Sequence, residues 1–139
     1  MDDLLTAENL FKDGGYSCVL VKGETVLTST ESGIAPLLKF IDSGKNFVGF
    51  CAADKIVGKA AALLYAYMGV SAVYAEVLSE QALTVLKDNG IEVKYATLTE
   101  KIINRRGDGL CPMEQTVAET DEPDRAFELL KQKVTSLKK

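Results

Sequence analysis

The chain contains no histidine. That absence removes the usual general base near neutral pH, the Ser-His and Cys-His nucleophile pairs and every imidazole-ligated metal site. Acid–base work must fall to Asp, Glu, Lys, Cys or Tyr. Cysteine is sparse: Cys18, Cys51 and Cys111 are an odd number with no CxxC spacing, which points to neither a disulfide framework nor a zinc ribbon. Tryptophan is absent, which says little. No apolar run approaches a membrane span, so no membrane partner is expected. Basic residues are outnumbered, 16 against 20 acidic, and the net charge of −4 is spread along the chain, so no nucleic-acid partner is expected either. The first residues, Met1-Asp-Asp-Leu-Leu, lack the basic and apolar regions of a secretory signal, and the expected location is the cytoplasm.

What is present suits one domain spanning residues 1–139. The chain is organised around Phe47–Met68. Phe47–Cys51 reads as a buried strand, and Asp54–Met68, rich in Ala, Leu and Lys, reads as a helix stopped by Gly69. A helix so apolar must be covered on nearly every side. Its polar residues, Asp54, Lys55 and Lys59, sit early, so its start is where chemistry is expected.

In order, Asp2 or Asp3 caps a first helix with Leu4, Ala7, Leu10 and Phe11 inward and Gly14-Gly15 at its end. Tyr16–Lys22 and Thr25–Ser29 flank Gly23-Glu24 at the spacing of a two-residue hairpin. Ile34, Leu37, Leu38 and Ile41 form a helical stripe with Pro36 in its first turn. Ala72–Val77 is a strand, Ser79–Asn89 a helix, and Ile91–Ala96 an alternating, half-exposed strand. Leu98–Ile103 reads as a short helix, residues 104–109 as a loop, Cys111–Val117 as the opening of another short helix, and Asp121-Glu-Pro-Asp caps a last one. These elements predict a three-layer α/β/α sandwich with a five-stranded mixed sheet, antiparallel in its hairpin and parallel beyond. Ligands of such sheets bind outside the carboxyl ends of parallel strands, where the starts at Thr30–Gly33 and Ala52–Asp54 are expected to converge.

The order helix, hairpin, helix, strand, helix, strand resembles the cytidine-deaminase-like fold. The strings Ser32-Gly-Ile-Ala-Pro-Leu37, Asp54-Lys-Ile-Val-Gly-Lys-Ala-Ala-Ala62 and Cys111-Pro-Met-Glu114 resemble a domain-of-unknown-function family of that superfamily. A catalytic deaminase carries His/Cys-x-Glu at one helix start and Pro-Cys-x-x-Cys at the next. Here the first position reads Ser32-Gly33-Ile34 and the second Cys51-Ala-Ala-Asp54, so the resemblance implies the fold and argues against zinc-dependent deamination. No metal or cofactor is expected.

The bottom-up alternative is an anion site. Gly33 and the small residues after Cys51 would present helix N–H groups, beside Ser32 and Asp54, with Lys55 and Lys59 adding positive charge. Ser32 and Asp54 read equally as ordinary N-caps. Lys59 would reach the surface, pair with Asp54 or Glu114, or act catalytically if shielded from water. Pro112 leaves Cys111 at a helix cap, where the dipole favours a thiolate, and Glu114 sits where the acidic half of a capping box falls. The alternative is a buried small cysteine and a capping glutamate. Cys51 and Cys111 would make a metal or redox pair only if they met. Asn104 and Arg105 lie on a Gly-bearing loop suited to phosphate or carboxylate. Three readings follow: a catalytically silent domain binding a small anionic metabolite or nucleotide as a regulator or sensor; a transferase or hydrolase using Cys111 with Lys59, Asp54 or Glu114; or a structural module forming a homodimer.

Overall fold

A computed structural model describes residues 2–31, 33–102 and 111–137. Helix α1 (Asp3–Gly14) begins where the Asp2 carboxylate accepts the Leu4 N–H at 3.0 Å and ends at Gly15, whose φ of 70° is left-handed. Strands β1 (Cys18–Lys22) and β2 (Thr25–Ser29) form the expected hairpin, Lys22 opposite Thr25. Then come α2 (Ala35–Asp42), β3 (Cys51–Val57), α3 (Lys59–Met68), β4 (Ala72–Ser79), α4 (Glu80–Asp88), β5 (Glu92–Thr99), α5 (Pro112–Thr116) and α6 (Pro123–Leu137).

The sheet runs β2-β1-β3-β4-β5. β1 pairs antiparallel with both β2 and β3, whereas β3, β4 and β5 are parallel. Helix α1 covers one face, burying Leu4, Ala7 and Phe11 against Val19, Val21, Ala53 and Tyr74. Its buried Glu8 is ion-paired with Lys12 at 2.6 Å and with Lys94 of β5 at 2.7 Å. Those ammonium groups, Lys12 first, hold its carboxyl below the usual carboxylate range. Helices α2, α3 and α4 cover the other face, and α6 lies outside α3, with Ala126 and Leu130 fully buried. This outer helix explains why α3 is apolar all round: every residue from Lys59 to Tyr65 is buried, between sheet and α6. Among the described residues no helix is long and apolar enough to cross a membrane.

Two segments depart from the sequence reading. Phe47–Phe50 is a turn whose Phe47 and Phe50 rings pack edge-on at 5.3 Å, while Cys51–Val57, with Asp54 and Lys55 inside it, is the strand. Ala and Lys favour a helix weakly, but β1 and β4 pair with this stretch on both sides, and Ile56-Val57 suits that setting. Gly58 then marks the start of α3, four residues later than expected. Similarly, Leu98 and Thr99 extend β5 alongside Leu78 and Ser79 rather than opening a helix.

Candidate functional site

The start of α3 lies at the carboxyl end of β3, with Gly58 as N-cap and no capping side chain of its own. The cap comes from elsewhere. Glu114 on α5 turns its buried carboxylate onto the first two N–H groups, accepting from Lys59 at 2.8 Å and from Ala60 at 2.7 Å. Gly58 permits this by close approach: a Cβ there would stand 2.2 Å from Glu114 Oε1 and 2.8 Å from Ile102 Cγ1. The helix dipole and its free donors are thus satisfied by an internal anion. Glu114 is a cap for α3, a role that sequence distance conceals.

Lys59 is buried, yet its side chain reaches past α5. Its ammonium stands 3.1 Å from Asp121 Oδ1 and donates to the Ala118 carbonyl at 3.3 Å. The expected pairing with Asp54 or the Glu114 carboxylate does not occur, because Asp54 belongs to the strand and Glu114 takes the backbone N–H groups. The two ends of the ion pair differ sharply: the Lys59 side chain is 9% exposed and that of Asp121 88%. A cleft of about 260 Å³ opens here, lined by Lys59, Asp121 and the α4 residues Gln81, Thr84, Val85 and Asp88, with Asn89 at its end.

Asp54 lies under the α3 side of the sheet and caps nothing. The Tyr65 hydroxyl donates to its Oδ2 at 2.6 Å, and Cys18, its register partner on β1, places Sγ 3.4 Å from that hydroxyl. All three are at most 6% exposed. Burial pushes the Asp54 carboxyl up to about 7, opposed by the Tyr65 hydroxyl and the backbone N–H groups of Lys55 and Ile56. Burial likewise raises Tyr65 and Cys18, with the Asp54 charge adding to both. All three groups are thus held inside the core, on the side of the sheet that α3 covers. Tyr65 is hidden in the sequence among the apolar residues of α3.

The remaining candidates disperse. Lys55 is exposed on β3, its N–H donating to Ser17 O at 3.1 Å. Cys51 starts β3 on the α1 face, with Sγ 3.5 Å from Ser71 Oγ, and burial raises its thiol. Cys111 is half-buried at the N-cap of α5, its N–H bonded to Ile102 O at 3.1 Å. Cys51 opens β3 and Cys111 caps α5, and both are free thiols that do not pair. Gly33, with φ of 69°, precedes α2. Ser32, Asn104 and Arg105 fall outside the described residues. Among the described residues no group of three Cys, Asp or Glu side chains is placed to hold a metal ion.

These elements form an α/β/α-sandwich domain in the helix–hairpin–helix–strand order, with no His/Cys-x-Glu or Pro-Cys-x-x-Cys string at either helix start. The chain belongs to the TM1506 family, a domain of unknown function (DUF1893), whose signature matches residues 6–134. It is similar to the crystal structure of a DUF1893 family protein (TM1506) from Thermotoga maritima, with a TM-score of 0.87 and 28% identity over 96% of this chain and 91% of that one. A dCMP deaminase from the cyanophage S-TIM5 gives a TM-score of 0.46 at 19% identity, over 67% of this chain and 93% of that one. A diaminohydroxyphosphoribosylaminopyrimidine deaminase/5-amino-6-(5-phosphoribosylamino)uracil reductase from Thermotoga maritima gives 0.44 at 15% identity, over 83% and 40%. None of the curated proteins matches the sequence.

Proposed function

We propose that this domain binds a small anionic metabolite, such as a carboxylate or a phosphorylated compound, in the cleft beside α4, and acts as a regulator or sensor. The observation that carries the reading is the Lys59 ammonium, buried along its stem and aimed at a cleft where its counter-ion is almost wholly exposed. An exposed partner holds an ion pair weakly and exchanges readily. An incoming carboxylate or phosphate would replace Asp121 on Lys59, while Gln81, Thr84 and Asn89 offer hydrogen bonds to its neutral parts. The helix start itself is left out, since Glu114 already fills it.

The test is a thermal-shift screen of the protein and its Lys59→Met variant against small carboxylates, sugar phosphates and nucleotides, because a ligand of the native state raises the melting temperature by linkage. A saturable rise lost in Lys59→Met is expected. No rise with any compound, or a rise that the variant retains, would refute the assignment. The alternative enzyme reading fares less well: Glu114 is bonded to α3 and is not free to serve Cys111 as a base.

A further inference from the structure

Strand β5 ends the sheet opposite the hairpin, and among the described residues β4 is its one strand neighbour. It is eight residues long, and six of them, Glu92 and Lys94 through Leu98, are exposed. Tyr95 at 41% and Leu98 at 39% rank among the exposed large hydrophobic residues. A long edge without proline is a template for pairing with another strand. The Glu92 N–H donates to Ser71 O at 3.1 Å, so that position turns its backbone groups towards β4. Strand alternation then turns those of Val93, Tyr95, Thr97 and Thr99 outward.

We propose that β5 pairs antiparallel with β5 of a second copy of this chain about a twofold axis at Thr97, joining two five-stranded sheets into one. Charge selects this register. It sets Lys94 of each copy opposite Glu100 of the other, Tyr95 opposite Thr99, and Ala96 opposite Leu98. An axis at Tyr95 would instead place Lys94 against Ala96 and Glu92 against Leu98, leaving both charges unmatched. An axis at Val93 would match Glu92 with Lys94 but keep only the first residues of the strand. Lys94 is available for the contact, because its side chain stays 53% exposed while it meets Glu8. The self-complementary patch is what a closed C2 dimer requires.

The test is light scattering of the 139-residue chain across a concentration series, with circular dichroism as the check on folding. Thr97→Asp sets two carboxylates across the axis, and Glu100→Lys sets two lysines against each other. Both positions are exposed, so the monomer is expected to fold. Each variant should weaken the dimer roughly tenfold or more, while Glu100→Asp should leave it intact. Slower hydrogen exchange at the Tyr95 and Thr97 amides with rising concentration should accompany dimer formation. A wild-type chain that stays monomeric at sub-millimolar concentration, or a dimer that survives both charge variants, would overturn the proposal.

Discussion

Asp54 is the group whose titration should be most visible. Its carboxyl is fully enclosed, meets a hydroxyl and two N–H groups rather than a cation, and is raised from 3.8 to about 7. A carboxyl raised in the folded state stabilises the fold fully below its unfolded pKa, and this contribution is lost as pH rises through the folded value. Raising the carboxyl from 3.8 to about 7 corresponds to ~4 kcal/mol, with most of the loss falling between pH 4 and 8. An asparagine in its place would mimic the protonated form and cannot ionise. Urea unfolding of the wild type and Asp54→Asn at pH 5 and pH 8 should therefore show the wild type losing roughly 2–3 kcal/mol more than the variant across that interval. Other groups titrate in both proteins and cancel in the difference. Parallel stability curves would refute the reasoning, since they would mean that Asp54 is already ionised at pH 5 at no cost.

Tyr65→Phe removes the hydroxyl that favours the Asp54 anion, so the pH at which stability falls should move upward in the same unfolding series. Glu114→Ala strands two N–H groups at the start of α3 and should cost about 1–3 kcal/mol by denaturant unfolding. Gly58→Ala drives a methyl group into the same carboxylate; because both changes disrupt one contact, the double variant should lose clearly less than the sum. Glu8→Gln should flatten the acid limb of the stability profile, because a carboxyl lowered by Lys12 and Lys94 contributes above its unfolded pKa and loses that contribution as pH falls.

The hairpin, α1, α2 and α4 are legible in the sequence because local signals and burial agree there: Asp2 and Ser79 cap, Gly23 turns, and the apolar stripes face the sheet. The β3–α3 boundary is misread because Ala52, Ala53 and Lys55 carry helix propensity that pairing with two strands overrides. A lone glycine at position 58, between Val57 and the alanine run, is the available signal for that boundary. The site suffers for the same reason. Once Asp54 joins the strand it faces Tyr65, eleven positions on, and the helix start passes to Gly58. Glu114 and Asp121 act over more than fifty residues of chain, which no local pattern encodes. The apolar composition of α3 does signal an enclosed helix, but α6 as its outer cover emerges only from the tertiary structure.

Lys59 and its cleft are tested most directly by a heteronuclear NMR titration with the most stabilising small anion. Saturable shifts concentrated at Lys59, Gln81, Thr84, Asn89 and Asp121, absent in Lys59→Met, are expected. Shifts that cluster elsewhere, or that leave the cleft unmoved at saturation, would contradict an anion site there.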